Sequence, residues 1–179
     1  MDTTPTGLVQ TRSSPLDGPR RGLYTPAERA RRDASRWTLV QGVLAPIQFL
    51  VFLVSLGLIA RFLITGEGQL AAAVSVVVKT LTLYTIMITG CLWEKDVFGV
   101  YLFAPAFYWE DMVSMAVLAL HTAYLVALVT DVLGAREQML LALAAYFTYV
   151  INAGQFLLKL RAARLEAAGL AGQPRRGVA

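Results

Sequence analysis

The chain has one cysteine and one histidine in 179 residues. A lone Cys91 excludes an intrachain disulfide and argues against a thiolate metal cluster. Its simplest role is a small buried hydrophobe. A lone His121 excludes bis-histidine haem ligation. There is no glycine-rich phosphate loop, no Ser-His-Asp set and no His/Cys metal spacing. Charges run through the first 36 residues without an apolar core, so no secretory signal is expected. No internal repeat is visible.

Charge is also missing from long stretches. Trp37 to Ala60 has none in 24 residues, and Gln138 to Leu158 none in 21. Gly68 to Trp93 carries only Lys79, and Met112 to Thr130 carries none beyond the titratable His121. The chain is 56% hydrophobic, with a mean hydropathy of +0.57. Each run is long enough to cross a hydrocarbon core of roughly 30 Å as a helix. The expected fold is all-α: an integral membrane bundle of four transmembrane helices at about 38–64, 69–98, 105–131 and 138–160. No separate soluble domain is expected.

The pI of 9.5 does not point to nucleic acid, because the basic residues sort by side. Arg12, Arg20, Arg21, Arg29, Arg31, Arg32 and Arg36 precede the first span. Lys95 lies between the second and third. Lys159, Arg161, Arg164, Arg175 and Arg176 follow the fourth. The other two loops hold only Arg61 and Arg136. This bias places both termini in the cytoplasm. Residues 1–22 read as a disordered tail. Residues 23–36 read as a basic interfacial helix opened by Thr25-Pro26-Ala27-Glu28, a capping-box start. Residues 165–179 read as a flexible tail, with the last helix free to continue past Lys159. Gly99 is the expected stop of the second span and Pro105 the expected restart of the third.

Residues 93–111, Trp-Glu-Lys-Asp-Val-Phe-Gly-Val-Tyr-Leu-Phe-Ala-Pro-Ala-Phe-Tyr-Trp-Glu-Asp, are the densest source of chemistry. Four carboxylates, Glu94, Asp96, Glu110 and Asp111, bracket a run of aromatics. Glu94 lies five residues before Gly99 and Glu110 five after Pro105, so the two are expected level with each other across antiparallel helices. Asp96 reads as a solvated charge or cap. A carboxyl beside tryptophan and tyrosine is desolvated, and a facing carboxylate further favours its neutral form. General acid chemistry needs such a group. The competing reading is an interfacial ion pair with Lys95 or a terminal arginine.

Deeper polar groups fall on helical faces. Glu110 and His121, eleven residues apart, are about 20° apart around the helix. Gln41 and Gln48 share a face, as do Asn152, Gln155 and Lys159. Gln48, His121 and Asn152 fall at similar depth, with Lys79 somewhat deeper. These groups suggest an internal cavity, since ionisable groups within a bilayer are costly. Gln41, Gln48, Asn152 and Gln155 serve equally well as interhelical hydrogen-bonding glue. Lys79 could snorkel, and His121 could be a satisfied core imidazole.

Several stretches resemble the 3-vinyl (also called 2-vinyl) bacteriochlorophyllide hydratase family. They are Leu23-Tyr24-Thr25-Pro26, Arg29 to Ser35, Trp37 to Pro46, Trp93-Glu94-Lys95, Phe98-Gly99, Tyr101 to Ala104, Phe107 to Asp111, Leu120 to Leu125 and Tyr149 to Phe156. The similarity runs from about Leu23 to Arg164. It implies a hydro-lyase of bacteriochlorophyll synthesis in photosynthetic bacteria. The reaction adds water to the vinyl group of a magnesium chlorin or bacteriochlorin, giving a 1-hydroxyethyl group. No cofactor is expected, and the magnesium belongs to the substrate. The resemblance supplies the substrate and the spacing supplies candidates for the chemistry: Glu94 or Glu110 is expected to protonate the vinyl carbon, and Asp111 or the other carboxylate to orient water. Trp93, Tyr101, Phe107 and Trp109 stack on the ring. His121 ligates the substrate magnesium or passes protons, while Lys79, Gln48, Asn152 and Gln155 line the cavity. The implied partners are the tetrapyrrole substrate and membrane lipids, with no nucleic acid. A homo-oligomer, or contact with other pigment-synthesis enzymes, stays open. The implied location is the plasma or intracytoplasmic membrane. A non-catalytic pigment- or quinone-binding scaffold would use the same cavity without the proton chemistry, and a small transporter subunit would need a polar path to the outer face.

Overall fold

The computed structural model describes residues 22–171. Residues 1–21 and 172–179, the bulk of the expected N-terminal tail and the end of the C-terminal one, lie outside the described residues. Among the described residues every regular element is a helix: α1 (Pro26–Ala34), α2 (Arg36–Thr65), α3 (Gln69–Phe98), α4 (Tyr108–Thr130) and α5 (Ala135–Ala171). Four helices are long and apolar enough to cross a membrane, over Arg36–Thr65, Gln69–Phe98, Tyr108–Thr130 and Ala135–Leu165. Large apolar side chains such as Ile64, Val129 and Phe147 point outward, as lipid-facing positions must.

The helix ends follow local chemistry. The Thr25 hydroxyl accepts from Glu28 N at 3.2 Å, and Glu28 accepts from Thr25 N at 2.7 Å, closing the capping box. Ser35 ends α1 and caps α2, accepting from Trp37 N. Its hydroxyl also donates to Asp96 at 2.8 Å. Arg31 Nε donates to the Val97 carbonyl at 2.8 Å, satisfying an orphan carbonyl in the last turn of α3. Gly66 and Gly99 end α2 and α3 in the left-handed region, at φ 75° and 82°.

Pro105 does not restart the helix. Residues 105–107 form a turn, with Phe107 N bonded to the Ala104 carbonyl, and α4 begins at Tyr108. The cause lies just upstream. Phe103 sits at φ 60°, unusual for a bulky residue, and its N–H points to Asp111 rather than into a helix. At the other extreme, α5 runs beyond the expected end of its span, to Ala171.

α2 packs along α3 and α4 along α5, with lighter contact between the two pairs. The main core, including Phe52, Ile59, Val76, Leu83, Val117, Tyr124, Met139 and Tyr146, draws on all four spans. A second cluster of Tyr24, Val97, Ala106 and Phe107 lies at the end of the bundle where the basic residues collect.

Candidate active site at the α3–α4 tip

The tip joining α3 to α4 lies at this basic end. Glu94, Glu110 and Asp111 are each at most 7% exposed, whereas Asp96 is exposed and held by Ser35. The expected pairing is corrected: Glu94 meets Asp111 rather than Glu110. Glu94 and Asp111 lie close enough to interact directly. The tip backbone supports the pair. Phe103 N donates to Asp111 Oδ2 at 2.8 Å, and Ala104 N reaches Glu94 Oε2 at 3.5 Å. The arrangement is a buried carboxyl pair held by adjacent tip amides, with one member contributed by each pair of helices.

Glu110 turns instead to α5, where Lys159 Nζ bonds both its carboxylate and the Ala106 carbonyl. Asn152 Nδ2 bonds the Glu110 carbonyl at 2.9 Å and Ser114 Oγ at 3.0 Å, so Asn152 ties α5 to α4. Gln41 likewise ties α2 to α3, through Thr89 at 2.7 Å. Gln155 lines an open groove of about 460 Å³ with Leu23, Glu110, Leu158, Lys159, Ala162 and Ala163.

The four aromatics expected to act together are separated. Trp93 and Phe107 pack edge to face at 5.5 Å. Phe107 also stacks on Phe156, and Trp93 Nε1 donates to Thr38. Tyr101 and Trp109 stand outward, 57% and 71% exposed. Trp109 continues a row through Tyr108 to Phe103, with ring centroids 5.6 and 5.7 Å apart. Phe103 in this row is the residue whose N–H holds Asp111.

Lys79, Gln48 and His121 are fully or almost fully buried in the middle of the bundle. Lys79 Nζ lies 3.8 Å from the centre of the Tyr149 ring. His121 stacks on Tyr146 and bonds the Val117 carbonyl through Nδ1 at 2.8 Å. A carbonyl only accepts, so Nδ1 carries the proton and Nε2 presents a lone pair. His121 is ten residues, roughly 15 Å along α4, from Asp111.

Lys159, Phe103 and Ser114 were not singled out for the site from the sequence. Lys159 was the legible one: it shares a face with Asn152 and Gln155, at the membrane depth of Glu110. The left-handed Phe103 left no sequence signal.

Four long apolar helices around buried polar groups define a multi-pass membrane protein, with its buried carboxyls gathered at one tip. Residues 24–162 match the family described as 2-vinyl bacteriochlorophyllide hydratase, and the chain belongs to that family. A 2-vinyl bacteriochlorophyllide hydratase of Rhodobacter capsulatus is 65% identical over 156 residues, covering 87% of this chain and 91% of the relative. Another, of Cereibacter sphaeroides, is 66% identical over 148 residues, covering 83% and 92%. No solved structure matches.

Proposed function

We propose that this chain hydrates the 3-vinyl group of a chlorophyllide or bacteriochlorophyllide, with Glu94 and Asp111 as the acid–base pair. The family relation supports the hydro-lyase activity and its place in bacteriochlorophyll synthesis, and it disfavours the scaffold and transporter readings. The observation that carries the catalytic assignment is the meeting of two buried carboxyls, Glu94 and Asp111, on the adjacent amides of Ala104 and Phe103.

The chemistry needs one acid, one base and one water. The vinyl π electrons take the proton from the protonated member of the pair, forming a C–H bond at the terminal carbon. The cation left on the inner carbon is delocalised into the macrocycle. Water adds its oxygen to that carbon, and a carboxylate takes the released proton. The pair again holds one proton, so the cycle closes without a redox cofactor. The exposed row Phe103, Tyr108 and Trp109 offers the flat macrocycle a face next to the pair, and the substrate enters from the membrane interface. Glu110 and Lys159 position the tip, and His121 takes no part in the proton transfer. The basic end faces the cytoplasm, by the same charge bias read from the sequence, and the membrane is the plasma or intracytoplasmic one.

The test is Glu94→Gln and Asp111→Asn, each assayed in membranes for the hydroxyethyl product by chromatography. Each should lower kcat by a factor of about 10² to 10⁴, the usual worth of general acid–base catalysis. Full activity in both variants would remove the pair from the mechanism.

A further inference from the structure

Among the described residues, four buried polar atoms near the middle of the bundle have no hydrogen-bond partner: Lys79 Nζ, His121 Nε2, Gln48 Oε1 and Tyr124 Oη. Their residues are between 0% and 2% exposed. They come from α3, α4, α2 and α4, so three of the four spans carry them. Aromatic rings adjoin Lys79 and His121. Lys79 lies on Tyr149 and within electrostatic reach of His121. His121 stacks on Tyr146. Phe52, one turn from Gln48 on α2, touches both Tyr146 and Tyr149. Neither lipid nor bulk solvent can satisfy such groups inside a bilayer, so leaving them unpaired is costly.

The donor and acceptor pattern selects the ligand. Lys79 only donates, His121 Nε2 and Gln48 Oε1 only accept, and Tyr124 does both. An anion would satisfy Lys79 but face the two acceptors with negative charge. A cation would satisfy the acceptors and repel Lys79. Water donates to both acceptors and accepts from Lys79 and Tyr124. We infer that the middle of the bundle is an internal water site, in which a small cluster of ordered water bridges Lys79, His121, Gln48 and Tyr124. On the hydratase reading, on which this role alone rests, water is the co-substrate.

Synchrotron hydroxyl-radical labelling of the full chain in lipid nanodiscs, read by mass spectrometry, tests the site. Radicals form from bound water and oxidise the side chains beside it. Tyr124 and Tyr149 should label despite their burial, while Ile59 and Leu83 in the apolar layer should not. In the double variant Gln48→Leu, His121→Phe, labelling of both tyrosines should fall roughly tenfold, because the water loses its two acceptors. Unlabelled tyrosines in the parent protein, or equal labelling in the double variant, would overturn the proposal. Gln48→Leu alone provides a second, milder variant if the double does not fold, and its labelling should fall in the same direction. Labelling needs no turnover, so a chain that labels but forms no alcohol separates failure of the hydratase reading from failure of this one.

Discussion

Lys159→Met is the sharpest structural perturbation the bundle offers. The lysine leaves α5 and bonds two groups of the tip, the Glu110 carboxylate and the Ala106 carbonyl. Its side chain is 24% exposed and that of Glu110 is 9% exposed. Breaking a buried ion pair from one side costs about 3–5 kcal/mol, because the other charge is stranded, while a surface pair is worth about 0–1 kcal/mol. A pair with one well-buried and one quarter-exposed partner falls between, at about 2 kcal/mol. The abandoned carbonyl adds about 1 kcal/mol. Lys159→Met should therefore destabilise the protein by about 2–3 kcal/mol. Adding Glu110→Gln removes the stranded charge, so the double variant should recover about 1–2 kcal/mol of that loss. Unfolding in detergent micelles, followed by circular dichroism for all four corners of the cycle, measures both numbers. Asp111 is the next residue along the chain, so kcat should fall in the single variant and recover in part in the double. A loss below about 0.5 kcal/mol, the level of an ordinary surface substitution, or strictly additive single variants, would refute the assignment of Lys159 as the clamp on the tip.

Gly99→Ala should cost about 1–2 kcal/mol, since Gly99 sits at φ 82° and the left-handed region penalises any Cβ. No neighbouring atom lies within 4 Å of the added carbon, so melting reports backbone strain rather than a clash. Thr25→Ala removes half of the capping box at α1 and should cost about 1 kcal/mol. Faster amide exchange confined to residues 26–34 would check it, and unchanged exchange there would deny α1 its cap.

Much of the fold was legible because its causes are local. Uncharged runs set the spans, Thr25 to Glu28 set the start of α1, and Gly99 set the end of α3. The facing of the carboxyls was not local. Counting from Pro105 placed Glu110 opposite Glu94, but α4 starts three residues later. In a helix, three residues turn the face by about 300°. The delay comes from the left-handed Phe103, whose amide is captured by Asp111, and from Lys159, 49 positions beyond Glu110 in the chain. Neither contact has a signature in the residues beside it. The aromatics divided for a related reason. Trp93 and Phe107 were needed to fill the space beneath Tyr24 and Phe156, so only those beyond that cluster are free to meet a ligand.

The carboxyl pair draws one member from α3 and the other from α4, and those helices belong to different tightly packed pairs. A membrane protein is threaded into its bilayer in chain order. When α2 and α3 have been inserted, Glu94 has no Asp111 beside it. Only when α4 arrives and α5 brings Lys159 to fix its first turn is the carboxyl pair complete. The buried carboxyl pair is therefore a product of completed assembly, and a chain arrested halfway into the membrane does not carry it.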